Sequence, residues 1–407
     1  MPNKKCAICK RNFLHIINLG RHPCADTFLK NQKIAKKLKR YPLKTGYCSC
    51  NHLTSIHKVS PGERYTKHNY SYSSDNSPVS RNHFANIAKI ITKKFKLNTA
   101  NSIIEIGSND GTFLKCIKKI TNLHVLGVDP SRFMCVIAKK RGIRTYTNFF
   151  NFKNSKIIQK KFGKFDLLYA ANVFNHIDEP DNFLKSCNTV LKNNGIIILE
   201  VPDLDSLIKT CGFDTIYHEH RQYFSTHSIE KVLNRNRYKI LSIEKINYMS
   251  GSLRVFARKI AMSDKIIKTE ESTMLQKKKF IYNFLNFKKK IYLVRKEILK
   301  FIKKFKKNNK IIIGIAAATK GNTLLNFCGI DDKDLKCIIE NSPYKIDKFT
   351  PGSGIPIVSE RKFRNFDAAI ILPWNITQHL YKKFLKKKKI PYTSVSKVIK
   401  KLNKCQK

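Results

Sequence analysis

The sequence predicts an α/β protein whose main sheet is parallel, preceded by a cysteine-bearing unit and followed by a smaller strand-and-helix unit. Three observations predict it. Apolar runs at Ser102 to Ile106, His124 to Val128, Phe165 to Ala170 and Gly195 to Val201 are separated by helix-like segments, the pattern of strands joined by crossover helices. The stretch Glu105-Ile106-Gly107-Ser108-Asn109-Asp110-Gly111 joins the first of these strands to a helix-like Phe113-Leu114-Lys115-Cys116-Ile117, with glycines where the backbone can approach a ligand closely. A second strand, small-residue turn and helix recurs at Ile311 to Asn322. Composition and pattern place the parts at 1–75, 76–262 and 263–407.

Composition bounds the possibilities. The chain has 407 residues and is 42% hydrophobic, enough for two or three domains with cores of their own. It contains no run of about 18 apolar residues, so no membrane span is expected. The start, Met1-Pro2-Asn3-Lys4-Lys5-Cys6, lacks the apolar core of a signal peptide, so a cytoplasmic location is expected. The 12 cysteines are then thiols or metal ligands rather than disulfides. The formal net charge of +52 raises nucleic-acid binding. The basic residues are scattered along the chain, however, and lysine far outnumbers arginine, the better reader of bases and phosphates. A coding bias towards Lys, Asn and Ile accounts for the charge without a nucleic-acid partner.

In the first part, Cys6-x-x-Cys9 is followed some 40 residues later by Cys48-x-Cys50. Two close pairs across a loop suit a structural Zn2+, because tetrahedral zinc takes soft ligands from two knuckles. The second pair is one residue short of the common spacing, and His52 or His22 could replace a ligand. A site made only of protein ligands leaves no open position, so no catalytic role is expected of it.

In the middle part, ligands of such a sheet sit beyond the carboxyl ends of the strands. Glu105, Asp129 and Tyr169-Ala170-Ala171-Asn172 fall there, with His176 just beyond. An acid two residues before the first glycine would repel a pyrophosphate, and suits a cationic or hydroxyl-rich ligand better. Asp129 ends the second strand in the usual place for a ribose hydroxyl partner. Together these segments resemble the S-adenosylmethionine site of a class I methyltransferase. No Asn-Pro-Pro-Tyr or Asp-Pro-Pro-Tyr follows the strand, which counts against methylation of adenine amino groups. The densest chemistry is Asp214-Thr215-Ile216-Tyr217-His218-Glu219-His220-Arg221-Gln222-Tyr223-Phe224, which offers acids, bases and donors near neutral pH. Its His-x-His has no companion at a metal-ligand spacing.

In the third part, residues 270–310 read as long lysine-rich helices, with Phe280, Phe284, Phe287, Ile291 and Val294 at steps of three and four. Strands are expected within Ile311 to Ile315, Asp334 to Glu340 and Phe366 to Pro373, giving a smaller Rossmann-like unit. Its turn either faces a phosphate through backbone amides and Lys320 or packs a helix closely on the sheet through its alanines.

The motifs, taken in order, resemble the three-part S-adenosylmethionine-dependent C-methyltransferases of deoxysugar biosynthesis, which act on nucleotide-linked 4-keto sugars. The likeness runs through the cysteine pairs, Leu19-Gly20-Arg21-His22-Pro23 with Asp26, Tyr41-Pro42-Leu43, Asn69-Tyr70-Ser71-Tyr72-Ser73-Ser74 and Glu105 to Gly111. It continues with Asn172 and His176, Tyr217 to His220, Ser250-Gly251-Ser252-Leu253-Arg254, Lys320-Gly321-Asn322-Thr323, Thr350-Pro351-Gly352 with Ile355-Pro356-Ile357, and Leu372-Pro373-Trp374-Asn375. The resemblance implies a class I methyltransferase Rossmann-like sheet between an N-terminal zinc-binding domain and a C-terminal Rossmann-like domain. It implies S-adenosylmethionine held by Glu105, Gly107, Asn109, Asp110, Gly111, Asp129 and Asn172, structural zinc on Cys6, Cys9, Cys48 and Cys50, and a nucleotide-sugar substrate. It implies His220 as general base, with Tyr217, Glu219, His176 and Tyr72 lining the sugar. A carbon beside a ketone becomes nucleophilic only when a base removes its proton, so the enolate formed needs stabilising. Two departures stand out: the shortened second cysteine pair, and Ala316 where relatives often have a glycine. The competing expectations are an RNA methyltransferase on the same fold, a basic nucleic-acid-binding protein, or an idle relative kept as a partner subunit. The intact glycine turn with Tyr217, Glu219 and His220 speaks against the last.

Overall fold

The computed structural model describes residues 5–66, 73–75, 77–261, 264, 273–363 and 365–404. Among these residues the chain forms three sheets. The first is antiparallel, in the order His15–His22, Tyr41–Cys48, His52–Ser55 and Gln222–Tyr223. Its last strand therefore comes from far along the chain, directly after the Tyr217 to His220 cluster. That pairing anchors the cluster against the first 75 residues.

The second sheet runs Tyr238–Ile246, Ser252–Lys259, Leu191–Pro202, Phe165–Ala171, Ser102–Ile106, His124–Val128 and Thr145–Tyr146. Its last five strands are parallel, as the alternating pattern predicts. The first two form an antiparallel hairpin on the edge, which crossover reasoning did not foresee. The four expected strands are apolar without alternation because helices cover both faces. Ile103, Ile104, Leu126, Leu168, Ile197 and Leu199 are all buried.

The third sheet is parallel throughout, in the order Ile357–Ser359, Ile338–Glu340, Ile312–Ile315, Ala368–Ile371 and Tyr392–Thr393. The two outer strands are too short to announce themselves in sequence. The lysine-rich stretch, expected as more than one helix, is a single 34-residue helix Met274–Lys307, roughly 50 Å long at 1.5 Å per residue. Thr273 and Gln276 cap its start reciprocally. Its buried face is Phe284, Phe287, Ile291, Val294, Ile298 and Ile302. This face packs with Ile17, Tyr47 and Leu53 of the first sheet, Leu207 and Phe213 of the middle part, and Leu324 and Ile338 of the third. One apolar core thus binds all three parts, each fully buried side chain contributing about 1.5–3 kcal/mol. No described helix is long and apolar enough to cross a membrane.

Candidate active site and metal centre

The glycine turn at the end of strand Ser102–Ile106 is built from left-handed residues, with φ of 71° at Gly107, 50° at Asn109 and 76° at Gly111. A Cβ on Gly107 would come within 2.3 Å of Val173 Cγ2, so the turn closes only around glycine. Asp129 braces it, one carboxylate oxygen accepting from the Asn109 amide at 2.8 Å and the other from the Ser131 amide at 2.8 Å. Burial, opposed by these two amides, still lifts the Asp129 carboxyl to about 6.

Two of the expected cofactor residues are turned to protein partners. Asp110 accepts from Ser73 Oγ (2.6 Å), Thr112 Oγ1 (2.6 Å) and the Asp75 amide (3.1 Å), and Asn109 Oδ1 accepts from the Ser74 amide (3.0 Å). Glu105 behaves differently. It is buried, its Oε2 has no hydrogen-bond partner among the described residues, and burial with Asp110 and Asp129 nearby raises its carboxyl well above the usual range. An orphaned carboxyl oxygen beside a glycine cradle fits a ligand that brings its own donor. S-adenosylmethionine, with its ammonium and ribose hydroxyls, is such a ligand. Asn172 sits at φ 54° and its amide donates to the Glu200 carbonyl at 2.8 Å. The Glu200 side chain lies between His83 Nε2 and Arg254 Nε, both at 2.7 Å, and these partners outweigh burial and lower its carboxyl. Sequence reasoning missed this buried group.

The second cluster gathers beyond the same strand ends. His220 Nδ1 lies 2.8 Å from the Thr215 carbonyl oxygen. A carbonyl only accepts, so Nδ1 carries the proton and Nε2 keeps its lone pair. Burial, slightly offset by that bond, lowers the His220 imidazole to about 4. The Tyr217 ring centroid is 4.0 Å from that of His220, and that of His176 is 5.0 Å away. Burial chiefly, with His220 and Arg64, pushes His176 well below its ordinary value. Both imidazoles are therefore neutral at physiological pH.

Glu219 Oε1 accepts from the Asp26 amide at 3.2 Å, while its Oε2 is buried with no hydrogen-bond partner among the described residues. Burial and the Asp26 carboxylate raise Glu219 to about 7. Asp26 in turn accepts from Thr319 Oγ1 of the third part at 2.8 Å. His218 faces elsewhere, with Nε2 donating to the His22 carbonyl at 3.1 Å. Tyr72 lies outside the described residues.

Several contributors were not legible in sequence. Tyr65 and Arg64 lie on a π-helical turn, Gly62–Thr66. The Tyr65 hydroxyl is 2.7 Å from His176 Nδ1, and Arg64 donates to the His176 carbonyl at 3.1 Å and to Asp178 at 2.8 Å. The buried Arg221 takes the other Asp178 oxygen at 2.5 Å. One carboxylate thus pairs two buried guanidiniums and pins the segment around His176. The only sequence hint was proximity to Asn69 to Ser74.

At the third part's turn, Ala317 N donates to Glu340 Oε2 at 2.7 Å, and Asn341 N and Ser342 N donate to Oε1. The chain's own carboxylate fills the place an anion would take. A Cβ on Gly321 would meet Leu372 Cβ at 2.8 Å. Close helix-to-sheet packing therefore explains this turn better than a phosphate cradle. Ala316 takes φ 62°, the conformation glycine adopts without cost.

The sulfurs of Cys6, Cys9, Cys48 and Cys50 all lie within 4.8 Å of one another. Cys6 and Cys50 Sγ are 3.7 Å apart and Cys9 and Cys48 Sγ 3.0 Å. Zinc–sulfur bonds of about 2.3 Å in a tetrahedron place sulfurs about 3.8 Å apart, so the donor set fits that ion. The short second knuckle is accommodated by Asn51 at φ 49°. His52 does not substitute as a ligand, being occupied with Ser228 Oγ and Gln222 Oε1. Nor does His22, which bonds the Leu19 carbonyl at 2.6 Å.

Residues 79–243 match a family described as a methyltransferase domain, and residues 248–390 one described as a C-methyltransferase C-terminal domain. The fold, the glycine turn and these matches define an S-adenosylmethionine-dependent methyltransferase. More narrowly, the chain belongs to the C-methyltransferases that join these two domains. It is 26% identical over 383 residues to the C-methyltransferase NovU of Streptomyces niveus, covering 92% of this chain and 90% of that one. Solved structures similar to it include the magnesium protoporphyrin IX methyltransferase of Synechocystis with bound S-adenosylmethionine (13% identical, 44% of this chain and 79% of that one, TM-score 0.34). Another is a methyltransferase of Anabaena variabilis (17% identical, 45% and 86%, TM-score 0.37).

Proposed function

We propose that this enzyme methylates a carbon next to the ketone of a nucleotide-linked 4-keto deoxysugar, through an enolate. The observation that carries the reading is the His220 tautomer: Nδ1–H is committed to the Thr215 carbonyl, leaving a neutral Nε2 as a proton acceptor beside Tyr217 and His176. Its place in the motif Tyr217-His218-Glu219-His220 supports the substrate class, and the likeness to the C-methyltransferase NovU supports transfer of the methyl group to carbon.

In this reading His220 Nε2 takes the α-proton, and the C–H bonding pair becomes the enolate. His176 donates a hydrogen bond to the developing enolate oxygen. Glu219, close to half-protonated at neutral pH, has an Oε2 with no partner among the described residues, which a sugar hydroxyl would take. Tyr217 lines the ring. Tyr72 is assigned to the sugar from its motif alone. Glu105, Asp129, Asn172 and the backbone of Gly107 to Gly111 would hold S-adenosylmethionine, which when bound supplies an electrophilic methyl needing no activation. Asn109 and Asp110 serve it indirectly by fixing the turn. Zinc on the four cysteines would be structural, since all four positions are filled by protein.

The test is proton exchange. With the demethylated cofactor product bound, wild-type enzyme should exchange the sugar's α-proton with deuterated solvent, and His220→Ala should not. Failure of the wild type to exchange or methylate any of several 4-keto nucleotide sugars would overturn the substrate assignment.

A further inference from the structure

We propose that Tyr65 is a positioning residue that fixes the tautomer of His176, making its Nε2–H the donor to the enolate oxygen. The inference rests on the function proposed above and adds a residue that no sequence motif marked.

The geometry is specific. The Tyr65 hydroxyl lies 2.7 Å from His176 Nδ1 and 3.3 Å from the Glu219 carbonyl oxygen. A phenol has one proton to donate. O–H donors favour acceptors at about 2.5–3.0 Å, so the proton belongs on the bond to Nδ1 and the Glu219 contact is secondary. An Nδ1 that accepts leaves the proton of the neutral imidazole on Nε2. The ring planes of Tyr65 and His176 differ by 15° at a centroid distance of 5.9 Å. Arg64, on the same π-helical turn, holds the His176 carbonyl and Asp178. Single π-type turns often mark functional positions.

The consequence concerns the pair of histidines. His220 gives its Nδ1 proton to Thr215 and offers a lone pair at Nε2. His176 receives at Nδ1 and offers a proton at Nε2. Two neutral imidazoles 5.0 Å apart thus carry opposite tautomers, one a base and one a donor. Enolisation needs that combination, since a proton leaves carbon while charge gathers on the ketone oxygen. Both rings being held neutral by burial keeps the roles separate. Burial also raises the Tyr65 phenol, which stays protonated.

The experiment uses full-length enzyme labelled with nitrogen-15 histidine, the His176 signals being identified from a His176→Gln difference spectrum. The wild type should show a protonated Nε2 and a bare Nδ1 at His176. The reverse assignment would overturn the proposal, and this reading needs no Tyr65 variant to fold. Tyr65→Phe should lose the tautomer bias and lower kcat about 10–100-fold with KM nearly unchanged, less than the 10²–10³ for deleting a donor outright. Wild-type kcat in Tyr65→Phe would refute it. Adding Tyr65→Phe to His176→Gln, whose amide supplies its own donor, should cost little, and an undiminished loss would place the action of Tyr65 elsewhere. A protonated Nε2 in an enzyme inactive on every 4-keto nucleotide sugar would remove the sugar reading and leave the tautomer assignment standing.

Discussion

In the proposed reaction a backbone carbonyl directs the His220 imidazole to act as the base. Its Nδ1 is spoken for by Thr215, and burial keeps it unprotonated down to about pH 4. The proton-accepting form is lost only as pH falls through that value, so the acid limb of kcat/KM should lie near 4, well below the 6.5 of a free imidazole. A pH profile of the wild type checks this. His220→Ala should fold and bind cofactor normally, and lose turnover by about 10²–10⁴-fold. Asp129 plays a different part, tying two turns through its two oxygens. Asp129→Ala should weaken S-adenosylmethionine by about 1–3 kcal/mol, or roughly 5–150-fold in Kd, as read by calorimetry.

Among the elements, the loop Cys211 to His220 depends on contacts from both neighbouring parts. Trp374 Nε1 donates to Asp214 Oδ1 at 2.8 Å, and Thr323 Oγ1 donates to the Ile216 carbonyl at 3.4 Å. From the other side His218 holds the His22 carbonyl. Asp214 is fully buried, its Oδ2 has no hydrogen-bond partner among the described residues, and burial raises it to about 6 against the pull of Lys320 and Trp374. Its folded value lies above the unfolded one, so the folded state holds the extra proton between roughly pH 4 and 6. Stability from this group is present at low pH and lost as pH rises through that window. Asp214→Asn keeps the Trp374 acceptor and abolishes the titration. Relative to the wild type it should gain about 2–3 kcal/mol between pH 4 and pH 7, measured by urea unfolding at both values.

At the scale of the whole molecule, the cysteine cluster is the clasp of the first sheet. Lys5 to Asn12 has one short bridge of its own, and the knuckle is fastened to the middle part where Arg235 reaches the Ile8 carbonyl and pairs with Asp181. Protein purified without added metal should contain about one zinc per chain. Cys48→Ser with Cys50→Ser should lose it and lower the melting temperature. Unchanged metal content would reject the assignment. Because the first sheet borrows Gln222–Tyr223, the same double substitution should also reduce activity, though it lies outside the proposed catalytic cluster. The high positive charge is spread over exposed lysines, many on the outer face of Met274–Lys307.

The positions of the four parallel strands, the glycine turn and the cysteine pairs were legible because local rules set them: apolar runs, left-handed turn positions and ligand spacing act over a few residues. Glu105, Asp129 and His220 could be named in advance for the same reason, their motifs being contiguous. The sequence by itself thus determined the fold class and the chemical types present near the strand ends. Tertiary structure alone decided which of them meet. Tyr65 reaches His176 across 111 residues, Asp26 reaches Glu219 across 193 and Thr319 across 293. It also decided that Glu340 fills the third part's turn and that His218 is structural while His220 faces the cluster. The physical reason is that burial and hydrogen-bond partners, which set tautomer and charge, are supplied by elements far apart in the chain. Those elements come together only when the apolar face of one long helix closes a shared core.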